Sequence, residues 1–455
     1  MTPQYTAFSL ADALRTARDT RALEIGPGVL ELTPNVFRKL FGARPALIVA
    51  DTNTFAAAGE AVVGAFATRK SEVPRCFVFD EPQLHAEHRH VVKLEELLRH
   101  TDAVPVAVGS GTINDLAKLA AHRTGRPYMC VATAASMDGY TAFGASITSE
   151  GLKQTFTCPA PAAVIADLDV ICAAPPHMRA WGYADLVAKF TAGADWILAD
   201  ALGVEPIEPR AWAIAQGRLR ELTADAPGIA RADPEAVRKL LEGLLLSGFA
   251  MQAAQSSRPA SGAEHHFSHL WDMQGHTHRG VPPSHGFKVG IGTLAVTALY
   301  EELLKLPLHQ LDVEQCCAAW PDAETWAARA REWFTDTRLA EHASRELRAK
   351  HVHREALAAQ LVKLRAIWPA LSDALRAQLL PFETLRLMLE DAGAPSAPEQ
   401  IGITRVRLRL SYWQALCIRR RFTVLDIAAR ANVLEYCLDR IFGPDGPWPS
   451  VRNNS

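Results

Sequence analysis

The stretch AVPVAVGSGTINDLAK, residues 103–118, decides the fold class. Its first half is an unbroken apolar run ending in glycine, and its second half has helical spacing, so it is read as a strand, a glycine turn and a helix start. The same strand-like text recurs in PALIVAD (45–51), PYMCVAT (127–133) and PAAVIADLDVI (161–171). Strands that are apolar on both faces and separated by helical text predict a parallel sheet covered by helices on both sides.

The text changes after the Ala-Pro-Pro stretch at 174–176. From there to about residue 440 strand signals nearly vanish, and Ala/Leu/Arg/Glu segments such as PEAVRKLLEGLLLSGFAMQAAQ and REALAAQLVKLRAIWPALSDALRAQL take over. Their apolar residues recur at three and four, as on helices with one buried stripe. The expectation is a Rossmann-like α/β domain over 1–175 and an all-α domain over 176–455.

Composition narrows the function. The chain has 455 residues, 49% hydrophobic and 22% charged, which excludes disorder as the main state and allows two or three packed units. Lys and Arg number 48 against 50 Asp and Glu, a balance that speaks against a general nucleic-acid or membrane-surface binder. The 8 cysteines contain no C-x-x-C pair, so zinc-ribbon and thioredoxin-like readings fall and a reducing cytoplasm is expected. The first twenty residues lack a secretory pattern, and no apolar run is long enough to span a bilayer.

Gly109-Ser110-Gly111-Thr112 is a candidate anion-binding turn, because glycine lets the backbone approach a ligand and the first helical amides favour negative charge. Thr112 is read as the helix N-cap, with Asp115 completing a capping box. A capped helix after a strand is the plain alternative, and GSGTIND lacks the third glycine of the usual dinucleotide fingerprint. Asp51, closing an earlier strand, suits the two hydroxyls of an adenosine ribose, or is a solvated acid at a strand end. A third strand ends in Thr133-Ala134-Ala135-Ser136-Met137-Asp138-Gly139, small enough for a cofactor to lie against. Three such strand ends define one rim of a parallel sheet, where ligands of doubly wound proteins bind.

Six of the 16 histidines fall between His265 and His285. His265 and His269 are four apart and share a helix face, and His285 follows two prolines as though presented at the next helix start. Two imidazoles and a carboxylate would suit a divalent metal with a position open for a substrate oxygen. His266, His276 and His278 are read as exposed or loop histidines. The carboxylate is Asp185 or another acid, since spacing alone cannot bring Asp185 to the histidines. Lys189, one turn on, is read as an exposed helical lysine, with help in binding a phosphate as the alternative.

Together, GSGTINDLAK, TAASMDGYTAFGASI, GYADLVAKFTAGADW and SGAEHHFSH…HGFKVGIG resemble the sn-glycerol-1-phosphate dehydrogenase family of the iron-type alcohol dehydrogenase and dehydroquinate synthase superfamily. The similarity runs over most of the chain and includes YWQALCIRRRFTVLD, a segment like that of the longer bacterial members. The resemblance implies a nucleotide-binding domain over 1–175, a helical metal- and substrate-binding domain over 176–455, and an active-site cleft between them. It implies that Asp185, His265 and His285 ligate one divalent metal, zinc or nickel. Asp138 and His269 would contact substrate, as would Asp185 through the metal, with His269 relaying a proton. NAD(P) would be held by Asp51, by Gly111, Thr112, Ile113, Asn114 and Asp115, and by Thr133, Ala134, Ala135 and Ser136. The implied reaction is reversible reduction of dihydroxyacetone phosphate to sn-glycerol 1-phosphate by a cytoplasmic homo-oligomer, with no nucleic-acid partner and no membrane span.

Two rivals carry their own discriminators, and a third reading, a catalytically dead sensor keeping the sites, is excluded by measurable turnover. One is another polyol or alcohol dehydrogenase, or a sugar-phosphate cyclase, of the same superfamily, which substrate comparison separates. The other is a DNA-binding protein: TVLDIAARANVLEYCLDRIF (423–442), preceded by Arg419-Arg420-Arg421, has the look of a helix-turn-helix. Its turn has Ala-Asn in place of glycine, and its apolar spacing fits docking onto the helical domain.

Overall fold

The computed structural model describes residues 7–68, 73–81, 83–149 and 152–449. Six strands form one sheet: β1 (Ala22–Gly26), β2 (Ala46–Asp51), β3 (Arg75–Phe79), β4 (Val104–Gly109), β5 (Met129–Ala132) and, after a separate hairpin of β6 (Ala145–Ser149) and β7 (Leu152–Phe156), β8 (Ala163–Asp167). Their order is β1-β8-β5-β4-β2-β3, and every pair in that sheet is parallel. β4, β5 and β8 are buried throughout, which is why their sequences carry no polar alternation. One face packs Ile48, Val106 and Ile165 with Phe37 and Phe66; the other packs Val49, Ala107 and Val164 into a core that continues through the helical half.

The chain order reverses between β2 and β4, because β3 lies outside β2 and the chain then crosses to β4. The pairing Val49↔Ala107 sets Asp51 level with Gly109 at the carboxyl ends of these two strands. A crevice at such a reversal is the ordinary ligand position of a doubly wound sheet.

Beyond β8 the described chain is helical. The helices that matter for the site are α1 (Gly111–Arg123), which leaves β4, then α2 (Pro176–Val187), α3 (Lys189–Ala201), α4 (Pro234–Ala254), α5 (Ala263–Met273) and α6 (His285–Leu304). Gln252 of α4 ties this half to the sheet half, accepting from Asp19 N and donating to Thr20 Oγ1 and Thr141 O. No helix among the described residues is long and apolar enough to cross a membrane.

The segment read as helix-turn-helix forms two helices, α8 (Val424–Arg430) and α9 (Leu434–Ile441), after α7 (Arg405–Leu416). Asn432 takes the left-handed turn (φ 55°) that glycine would otherwise fill. α8 is buried through Val424, Leu425, Ile427 and Ala428, and the Val424 amide donates to Asp195 Oδ1 at 2.8 Å. The outer face of α9 carries Glu435 and Asp439, both paired to Arg409. With the pair docked and its exposed side made of Glu435, Tyr436, Asp439 and Arg440, it presents no basic surface to DNA.

Candidate active site

Helix packing brings together what chain spacing does not. Gly182 of α2 lies where an added Cβ would be 2.1 Å from Ala135 O, so α2 rests directly on the loop after β5. Gly286, at the start of α6, lies where a Cβ would be 2.1 Å from Trp181 O, so α6 begins against α2 with no room for a side chain. The Ser284 side chain caps α6 by accepting from Phe287 N, which fixes His285 in its first turn.

As a result Asp185, His265 and His285 each place one ligand-type atom within 4.8 Å of the others. The rings of His265 and His285 are 5.3 Å apart by centroid, and His269 stands 6.4 and 6.3 Å from them. His265 Nδ1 is 2.8 Å from Glu264 Oε1, which leaves Nε2 facing Asp185 Oδ1 at 3.6 Å. A carboxylate behind one nitrogen, with the other turned inward, is the usual arrangement behind a metal-binding histidine. Burial would lower the His265 pKa, but Asp185 and Glu264 outweigh it and hold the ring above its ordinary value. The pocket thus already favours positive charge. One carboxylate and two inward imidazoles fit a divalent ion of the zinc or nickel type.

Lys189 is completely buried, contrary to the exposed position expected from sequence, because two carboxylates neutralise it: Asp185 Oδ1 at 2.7 Å and Asp138 Oδ2 at 2.8 Å. Burial would raise Asp185, yet Lys189 and the two imidazoles hold it well below the usual carboxylate range. Lys189 itself is pushed up, its desolvation outweighed by Asp138 and Asp185. Asp138 also accepts from Ser247 Oγ at 2.9 Å, and its amide donates to Asp185 Oδ2 at 3.1 Å.

The rim on the sheet side differs from the expectation in detail. The N-cap of α1 is Ser110, not Thr112, and no side chain caps it, so the capping box assigned to Thr112 and Asp115 is absent. The Asp115 carboxylate instead accepts from Ser146 N at 3.0 Å. Ile113 is buried against Gly109, and Asn114 is buried between Tyr128 Oη and Gly139 O; Gly111, Thr112 and Asp115 are half-buried at the surface of the turn. The uncapped amides of this turn suit a phosphate. Thr133, Ala134, Ala135 and Ser136 are buried under α2, and the Thr133 amide reaches Gly109 O at 3.2 Å, joining the two strand ends. Asp51 is half-buried and caps a short helix by accepting from Thr54 N at 2.8 Å.

His266 is fully buried within α5, which corrects its reading as an exposed or loop residue; His276 does lie in the loop after α5 but is nearly buried, meeting Ile401 O at 2.7 Å and Arg407 at 2.8 Å. Glu264 was missed, because an acid beside a histidine has no distinctive spacing.

Comparison with known proteins follows this geometry. Residues 24–175 match the family model described as iron-containing alcohol dehydrogenase. The glycerol-1-phosphate dehydrogenase [NAD(P)+] of Halalkalibacterium halodurans is 36% identical over 282 residues, 61% of this chain and 70% of that protein. The enzyme of the same name from Geobacillus thermodenitrificans is 30% identical over 393 residues, 86% of this chain and 87% of that protein. Among solved structures, glycerol dehydrogenase from Schizosaccharomyces pombe superposes with a TM-score of 0.60 at 17% identity, covering 93% of this chain and 91% of that one; at that identity the likeness concerns the fold.

Proposed function

We infer the function from one premise: this chain belongs to the glycerol-1-phosphate dehydrogenase family. It is an NAD(P)-dependent oxidoreductase, reducing dihydroxyacetone phosphate to sn-glycerol 1-phosphate and reversing that reaction. The observation that carries the reading is the meeting of Asp185, His265 and His285 within 4.8 Å, beside a nucleotide-type strand rim. Residues 1–175 serve as the nucleotide-binding unit and 176–455 as the metal- and substrate-binding unit. Neither a sugar-phosphate cyclase nor a DNA-binding role is favoured by any feature of the site.

A divalent ion, nickel or zinc, supplies Lewis-acid charge to the substrate C2 oxygen when bound. NAD(P)H supplies the hydride. Asp185, His265 and His285 hold the ion, and Glu264 fixes the His265 tautomer. Lys189 holds Asp138 and Asp185 in place through an ion pair to each. Asp138 accepts a hydrogen bond from a substrate hydroxyl, and His269, one turn from His265, passes a proton to the C2 oxygen. The turn amides at Gly111–Asp115 and the backbone of Thr133–Ser136 hold the cofactor's phosphates and nicotinamide side, and Asp51 receives the adenosine ribose. The enzyme works in the cytoplasm as a homo-oligomer.

The test is NADH oxidation with dihydroxyacetone phosphate beside dihydroxyacetone and other ketones, with chiral analysis of the product. Chelated protein should be inactive and recover with nickel or zinc, and Asp185→Asn should lose metal and activity together. A dihydroxyacetone phosphate rate no better than that of the other ketones, or full activity after chelation, would overturn the assignment.

A further inference from the structure

The three consecutive arginines that resembled a DNA-reading feature lie between α7 and α8; Arg419 and Arg421 are half-buried, while Arg420 is exposed. Arg419, Arg420 and Arg421 line one wall of a cavity of about 560 Å³. His269 of α5 and Gln154 and Thr155 of β7 line it too, so both halves of the molecule contribute.

The arginines are not equivalent. Arg420 pairs with Glu346 at 3.2 Å. Arg421 is anchored through Ser261 O at 2.7 Å and Ser257 Oγ at 2.8 Å, and makes no ion pair among the described residues. Arg419 donates no hydrogen bond and makes no ion pair among the described residues, although it is half-buried. Burial lowers the pKa of both, and for Arg421 the charges of Arg258 and Arg419 add to that effect. Glu346, which lines the same cavity, acts on Arg419, and Glu205 and Glu264 act on Arg421, but without an ion pair to either arginine among the described residues; two neighbouring half-buried guanidiniums so placed are a costly arrangement, which a bound anion would relieve. Their planar forks match phosphate oxygens.

Position selects the anion. His269 lines this cavity and stands 6.4 Å from His265 by ring centroid. In dihydroxyacetone phosphate three bonds of about 1.5 Å each separate the ketone carbon from phosphorus, so a ketone held at the metal ligands carries its phosphate within about 4.5 Å, toward the His269 side where this cavity lies. We propose that this cavity receives the phosphate monoester of the substrate, with Arg419 and Arg421 as its charged anchors and Gln154 and Thr155 as neutral partners. The proposal rests on the dehydrogenase assignment above. The other source of a phosphate monoester, the 2′-phosphate of NADP, belongs at the Asp51 end of the rim.

The holoenzyme carries the test, with Arg419→Ala, Arg421→Ala and Arg419→Lys. Arg419→Ala should raise the KM for dihydroxyacetone phosphate about 10- to 100-fold, the loss of one charge-assisted contact. The KM for NADH and for NADPH should stay as in the wild type. Preference for dihydroxyacetone phosphate over dihydroxyacetone should fall by a similar factor, and competitive inhibition by inorganic phosphate should weaken. Arg419→Lys should recover part of each, and urea unfolding of Arg421→Ala beside the wild type separates a folding defect from a lost phosphate contact. An unchanged KM for dihydroxyacetone phosphate in Arg419→Ala overturns the site while leaving the dehydrogenase assignment standing. A rise confined to the KM for NADPH reassigns the cavity to the cofactor and equally overturns it. A wild-type enzyme indifferent to the phosphate overturns both.

Discussion

Replacing Lys189 with Met should expose how the site is held together before any ion arrives. The ammonium sits between Asp185 at 2.7 Å and Asp138 at 2.8 Å, with Lys189 and Asp185 wholly buried and the Asp138 side chain 14% exposed. Removing one partner of a buried ion pair costs about 3–5 kcal/mol, chiefly through the charge left behind. Here two carboxylates would be left, so metal-free Lys189→Met should lose about that much in urea unfolding. In the wild type the folded Asp185 pKa is depressed, so its contribution is present above the unfolded value and is lost as pH falls through the folded one. Without Lys189 the sign reverses: a carboxylate takes up a proton on folding, and the deficit should be smaller at pH 5 than at pH 8. Added nickel or zinc should then stabilise the variant more than the wild type, because the ion replaces the missing charge. A metal-free variant within about 1 kcal/mol of wild type, with equal metal stabilisation of both proteins, would refute this account of the buried triad.

Other outcomes follow from the same geometry. Gly286→Ala places a methyl on Trp181 O, so the start of α6 must shift; a loss of about 1–3 kcal/mol and of about 10- to 100-fold in metal affinity is expected, read by urea unfolding and metal titration. An undiminished affinity would show that His285 does not depend on that contact. Burial, then the nearby Glu264, raises Asp195 to about 7 from 3.8. Between those values the folded chain holds a proton that the unfolded chain has shed, so stability should fall as pH rises across this window, by on the order of 4 kcal/mol, and then level off. Asp195→Asn should remove that slope, and a parallel stability profile for the two proteins would dismiss the assignment.

What sequence conveys and what it withholds have physical reasons. β2, β4, β5 and β8 were legible because burial on both faces demands unbroken apolar text. β1 and β3 are edge strands with half-exposed or exposed residues, and β6 and β7 form a mostly polar hairpin, so none stood out. The pairing of His265 with His269 follows from helical period, whereas the approach of Asp185 depends on α2 meeting α6 at Gly286, a contact between segments about a hundred positions apart. Lys189 was misread because a helical lysine is ordinarily solvated, and only the fold supplies its two acids. His266 was misread for the opposite reason, since a polar residue on a crowded helix face gives no sign of burial.

The bond from the Val424 amide to Asp195 also has a temporal meaning. The carboxylate leaves the ribosome 229 residues ahead of its donor. At a synthesis rate of roughly 5–20 residues per second, it waits tens of seconds for that partner. The nascent helical half therefore gains this fastening only when its far end is translated, and premature release of the growing chain would yield a protein lacking it.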